Sequence, residues 1–295
     1  VDSGYGNDTT RGLWEGHFAA TLERAPIAHV VATHYHPDHL GNAAWLAKRF
    51  DAPVSMTQAE FLTAHALLDQ RATHALPDTC ALFMSHGLER DQVEALAARG
   101  NAYARGVPEA PRTIERMIAG DTVRFGGQDW TVIPGYGHSP EHASLYCAEL
   151  EVLISGDMLL PRISTNVSVM SSNPDGDPIR LFLDSIARYE ALPEGTLVLP
   201  SHGRPFRGIH ARVAQLEAHH RERFDALVAA CDVPKSACEL IPTLFQRELD
   251  AHQTMFAMGE SIAHLNYLEH AGRVRRSRDA AGVFRFTATQ EKGEV

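Results

Sequence analysis

The chain has 295 residues, enough to bury a sizeable core. Its 44% hydrophobic and 22% charged residues exclude a mainly disordered protein, and no apolar run approaches the roughly 20 residues of a membrane span. The net charge of −10 argues against general nucleic-acid binding, while histidine, the commonest metal ligand, is unusually frequent at 17 copies.

Short apolar or alternating runs bounded by turn residues predict strands at 29–33, 53–56, 121–125, 130–134, 143–147, 152–155, 163–170 and 196–200. An Ala-rich helix is expected over 40–50. Between 57 and 120 the pattern turns helical, with Phe61, Ala64 and Leu68 on one face and Val93, Leu96, Gly100 and Ala104 on another. This stretch reads as a helical insertion, either packed on the core or walling a site. Ile179, Leu183, Ile186 and Tyr189 mark a further helical face, and Ile209, Val213, Leu216, Phe224 and Leu227 a long one ending near Ala230. Asp232-Val233-Pro234 then breaks the helix. Beyond it, helices at 237–249 and 258–271, a cap at Gly272 and strands on either side of Ala280-Ala281-Gly282 outline a small winged-helix-like module. The expected domains are therefore 1–230 and 231–295.

Cys80, Cys147, Cys231 and Cys238 form no C-x-x-C pair and no dense framework, so reduced thiols in a cytoplasmic protein are expected. No signal-peptide pattern opens the chain, which starts at Val1.

The chemistry concentrates in Thr33-His34-Tyr35-His36-Pro37-Asp38-His39-Leu40-Gly41-Asn42, at a strand-to-helix turn. His34 and His36 alternate on an extended segment and so point the same way. Imidazole with carboxylate suits Zn, Fe or Mn. His138 follows a Gly-Tyr-Gly turn, Asp157 ends an apolar strand after a glycine, and His202 follows the strand at 196–200. His138 or His202 alone reads as an ordinary loop histidine; three strand ends together are how a rigid scaffold presents a site.

These motifs, in this order, resemble the metallo-β-lactamase superfamily from about Val1 to Ala230. Val1-Asp2-Ser3-Gly4 is similar to its first motif, Gly137-His138-Ser139-Pro140-Glu141-His142 to its third, Ile154-Ser155-Gly156-Asp157 to its fourth and Leu199-Pro200-Ser201-His202-Gly203 to its fifth. The resemblance implies an α/β four-layer αβ/βα sandwich, without the N-terminal strands that precede the first motif in that family. It implies two divalent metal ions, most simply zinc, with Fe or Mn as alternatives. His34, His36 and His138 would hold one, Asp38, His39 and His202 the other, and Asp157 would bridge. Two such ions clamp a shared water and lower its pKa from about 16 toward about 7, giving a hydroxide nucleophile. Asp2 is expected to orient a ligand or the metal loop.

Three reactions compete. The first is hydrolysis of an ester or thioester of a small molecule, as in hydroxyacylglutathione hydrolases; a thiolate leaving group needs no general acid, and none is evident beside the motifs. The second is endoribonuclease action, in which Arg273, Arg275, Arg276, Arg278 and Arg285 would meet phosphates, against the acidic net charge and the lack of an aromatic platform. The third is an iron-dependent persulfide oxidation. Arg162 and Asn166, just after Asp157, are candidate contacts for an anionic substrate, with Tyr136 and His142 as candidate site walls. The expected partner is a small molecule, with no membrane.

Overall fold

The computed structural model describes residues 1–20 and 27–289. They form two compact units that alternate along the chain. The first comprises Val1–Arg71, Asn101–Thr165 and Arg188–Ile209; the second comprises Ala72–Gly100, Asn166–Ala187 and His210–Val295. The expected boundary near Cys231 falls inside the second unit, and the 57–120 segment divides between the two.

In the first unit, α1 (Asp8–Ala20) precedes β1 (Val30–Val31), α2 (Pro37–Leu40), α3 (Ala43–Phe50), β2 (Val54–Thr57) and α4 (Gln58–Leu68). In the second unit come α5 (Leu76–Ser85) and α6 (Arg90–Ala97). The first unit resumes with α7 (Ala102–Gly106), β3 (Glu115–Met117), β4 (Thr122–Phe125), β5 (Gln128–Gly135), β6 (His142–Cys147) and β7 (Val152–Gly156). After α8 (Pro178–Ile186) of the second unit, β8 (Leu197–Pro200) completes the first. The rest of the second unit is α9 (Ile209–Ala230), α10 (Ala237–Leu244), α11 (Ala251–His270), β9 (Val274–Arg278) and β10 (Phe284–Ala288).

Two sheets make the first unit. β1, β2 and β3 run parallel in that order. The other sheet has the order β4-β5-β6-β7-β8, antiparallel except for the parallel β7–β8 pair. Val31, Met56, Met117, Val132 and Leu145 from the two sheets share one buried core. Burial of these side chains contributes on the order of 1.5–3 kcal/mol each. α3 and α4 pack on β1 and β2. The α/β architecture expected of the sequence is present.

α11 is the centre of the second unit and touches α6, α8, α10 and β9. It ends where Gly272 takes φ +70. There the Gly272 N–H donates to Glu269 O and the Arg273 N–H to Leu268 O, at 2.9 and 2.8 Å, which satisfies the last carbonyls of the helix. β9 and β10 pair as an antiparallel hairpin. Helix, helix and hairpin thus follow in the expected order, though α10 ends at Leu244 rather than 249. α11 begins at Ala251 rather than 258, because Asp250 and Gln253 form a capping box. The strand expected over 163–170 is absent: Val167 and Val169 are buried, but the Val169 N–H donates to Gly259 O of α11, and a helix cannot continue a ladder. The helix expected over 40–50 is α3, which begins at Ala43 after Gly41-Asn42 separate it from the short α2. β3 went unforeseen because a three-residue strand carrying exposed Glu115 and Arg116 has no alternation to read. No helix among the described residues is long and apolar enough to cross a membrane.

Candidate metal centre

All seven expected ligands lie in the first unit: His34 and His36 in the turn after β1, Asp38 and His39 in α2, His138 in the β5–β6 loop, and Asp157 and His202 just beyond β7 and β8. Their donor atoms form three overlapping groups: His34, His36 and His138; His34, His39 and Asp157; Asp38, His39 and His202. Within each group the donors lie no more than 4.8 Å apart. The Asp157 Oδ2 is 3.5 Å from His138 Nε2 and 3.6 Å from His39 Nε2, while its Oδ1 is 3.4 Å from His202 Nε2. One carboxylate therefore faces both ends of the cluster. His202 Nε2 also lies 3.2 Å from Asp38 Oδ2.

Local structure explains the convergence. Pro37 occupies the first position of α2, where its fixed φ suits a helix start, so the backbone turns directly after His36. Asp157 follows Gly156, whose φ of +53 and irregular pairing with β8 lift the carboxylate off the strand. A Cβ on Gly156 would collide with the His142 imidazole, so only glycine fits.

Asp2 organises two of the histidines. Its Oδ1 accepts the Thr33 N–H at 2.8 Å. Its Oδ2 accepts from Thr33 Oγ1 at 3.0 Å, from His39 Nδ1 at 2.8 Å and from Ser201 Oγ at 3.1 Å. Because the Thr33 hydroxyl spends its proton on Asp2, it accepts from His34 Nδ1, 2.9 Å away. His34 Nε2 is then a bare lone pair aimed at His36 Nδ1 (2.8 Å) and His138 Nε2 (3.2 Å). The His39 Nδ1–H is likewise directed at Asp2, which turns its Nε2 toward Asp38 and Asp157.

The fit to metal rests on two buried atoms. His39 Nε2 and Asp157 Oδ1 have no hydrogen-bond partner. Leaving such atoms bare is costly, and a cation satisfies both. The electrostatics agree. Burial, then the neighbouring imidazoles, holds His34 well below its ordinary value. Burial opposes charge on His39 as well, but Asp2, Asp157 and Asp38 push it up to about 12. His202 rises to about 10 through Asp157 and Asp38. Despite burial, His202 and His39 hold Asp38 and Asp157 well below the usual carboxylate range. The cluster draws positive charge, whether protons or metal.

The four candidate substrate contacts fare differently. Arg162 is exposed. Tyr136 is half-buried in the loop leading to His138, with the Arg188 guanidinium 5.6 Å from its ring centre. His142 is fully buried behind the site; its Nε2 accepts the Asp157 N–H at 3.2 Å, so it supports the ligand strand and forms no wall. The Asn166 amide donates to Glu260 at 3.0 Å and accepts from Ser168 at 2.8 Å, within the second unit, which commits it to structure there. Sequence reasoning missed Thr33, Ser201 and Glu60. Thr33 and Ser201 were quoted only as flanks of ligand motifs. Glu60 lies in α4 with nothing to mark it.

The sequence profile of the metallo-beta-lactamase superfamily matches residues 1–202. The chain belongs to the metallo-β-lactamase superfamily. A second profile, the metallo-beta-lactamase-like C-terminal domain, matches residues 224–289. A crystallised beta-lactamase domain protein from Burkholderia ambifaria superposes with a TM-score of 0.90 at 41% identity, covering 98% of this chain and 83% of that one. A probable metallo-hydrolase of Bacillus subtilis is 25% identical over 89% of this chain and 81% of its own length. A hydroxyacylglutathione hydrolase of Erythrobacter litoralis is 29% identical over 60% of this chain and 64% of its own length. By this membership the chain is an enzyme of the metal-dependent hydrolase kind.

Proposed function

We propose that the protein uses two divalent metal ions, zinc in the first instance, to hydrolyse an ester or thioester of a small molecule. The observation that carries this is Asp157, whose two oxygens face His138 and His202 at opposite ends of one cluster. His34, His36 and His138 would hold one ion and Asp38, His39 and His202 the other, with Asp157 shared. Bound metals supply an activated water and polarise the carbonyl oxygen under attack. The chain's own residues hold that arrangement: Asp2 and Thr33 keep the ring protons of His34 and His39 on the outer nitrogens, and the His142 ring holds the Asp157 backbone.

A thioester is favoured because its leaving group departs as a thiolate without a proton donor. The Erythrobacter relative, named a hydroxyacylglutathione hydrolase, points the same way. The arginines in and just before the β9–β10 hairpin offer the nuclease reading little support. Arg273 pairs with Asp225, Arg276 with Asp175 and Glu269, and Arg285 with Glu239 and Asp279, so much of their charge is already answered. Four free thiols, three of them buried, suit a reducing cytoplasmic setting. One metal-loaded preparation assayed against acyl-thioesters, lactones and RNA tests the assignment. Thioester or ester turnover that a chelator abolishes supports it; RNA cleavage alone, or oxygen uptake on persulfides with one bound iron, overturns it.

A further inference from the structure

Glu60, on the first turn of α4, is completely buried, and its hydrogen-bond partners among the described residues are backbone N–H groups and a hydroxyl rather than a cation. A buried carboxylate without a counter-charge is costly, and glutamate is rarely found so. Three donors converge on it. The Tyr35 N–H reaches Oε2 at 2.9 Å; the Ser139 hydroxyl and the Glu141 N–H reach Oε1 at 2.7 and 2.6 Å. Tyr35 lies between His34 and His36, and Ser139 follows His138 directly. The opposite side of the same backbone is held too, since the Tyr103 hydroxyl of α7 donates to Tyr35 O at 2.7 Å. The two peptide units that join His34 to His36 are thus tied at one N–H and one C=O, and Glu60 ties that loop to the loop carrying His138.

We propose that Glu60, assisted by Tyr103, is a positioning residue that sets the spacing of His34, His36 and His138 for one of the two metal ions. The proposal rests on the metal-dependent reading above and assigns α4 and α7 a part in it. Two backbone N–H groups need two acceptor oxygens, and only a carboxylate offers both in this fork. In Glu60→Gln the amide nitrogen must face either the Tyr35 N–H or the Glu141 N–H, donor against donor, while the side-chain volume is unchanged.

The test is competitive metal titration of the full-length protein with a chromophoric chelator, using zinc, together with thermal unfolding of the metal-free protein. For Glu60→Gln, one of the two zinc affinities should fall about 10-fold or more, as for other residues that orient metal ligands. The other affinity should change little, and the metal-free melting temperature reads separately what the donor-against-donor contact costs the fold. Tyr103→Phe should weaken the same affinity, by less. Both affinities unchanged in a folded Glu60→Gln, or both falling together with the metal-free melting temperature, overturns the proposal. If Glu60→Gln does not fold, Tyr103→Phe decides alone: selective loss supports the proposal and no loss overturns it. A wild-type chain that binds no zinc removes the parent reading, a different result from two intact sites that ignore Glu60.

Discussion

Asp2 carries more than its place at a strand end suggests. Four donors meet its carboxylate, and two of them set the free nitrogens of His34 and His39, one directly and one through the Thr33 hydroxyl. Asp2→Asn keeps the shape but turns one of those contacts donor against donor. Metal affinity should fall about 10- to 100-fold, read by chelator competition. Thr33→Val removes the relay to His34 alone and should cost less. Asp157→Ala removes the shared carboxylate and should abolish turnover; an active variant would contradict the bridge. His39 and His202 hold protons tightly in this acidic setting, raised to about 12 and about 10. Metal must displace those protons, so binding should tighten from about pH 6 to about pH 9, with proton release detectable on mixing. An affinity flat in pH would mean the two rings are not ligands. The candidate ligands were legible because each sits in a short polar motif beside a strand or at the turn into α2. Glu60 was not, because a carboxylate on the first turn of a helix ordinarily reads as a favourable charge at its N-terminus.

Helices α9 and α11 share a buried histidine pair, with His220 Nδ1 and His264 Nε2 3.1 Å apart and His264 Nδ1 2.8 Å from Glu260 O. Burial, then the neighbouring histidines, pushes His220 down to about 2; burial also takes His264 down to about 3. Both rings are neutral in the folded protein and titrate near 6.5 when it unfolds. The unfolded chain therefore binds more protons below that pH. The stability these rings contribute is complete above about pH 6.5 and lost as pH falls toward about 3, at up to about 1.4 kcal/mol per pH unit for each ring. Urea unfolding across that range should show the slope, and His220→Phe should reduce it; an unchanged slope would remove the pair from the account. At the end of α11, Gly272→Ala forces a Cβ into a left-handed residue with open space around it. A loss of roughly 1–2 kcal/mol is expected, the conformational cost alone. Element existence was well marked in the sequence by the 3.6-residue spacing of α9 and the apolar runs of β5 to β8. Boundaries were less so, as the capping box at Asp250 and the ladderless 163–170 segment show: both depend on hydrogen bonds whose partners are chosen in three dimensions.

The whole molecule joins a two-sheet unit that carries the donor cluster to a second unit built around α11. The fold and the candidate ligands could be read from a series of short motifs, in order, that resemble those of the superfamily. The division into units could not, because segments 72–100 and 166–187 join the second unit through packing that leaves no mark at their sequence borders. Two of the four candidate substrate residues read from sequence proved to be structural supports. The most direct test of the account is the number of metal ions per chain, counted by elemental analysis of protein loaded with zinc and then freed of excess. Two equivalents, falling when Asp157 is replaced by alanine, are predicted. A saturated chain that retains none, or one iron bound in preference to a zinc pair, would contradict it.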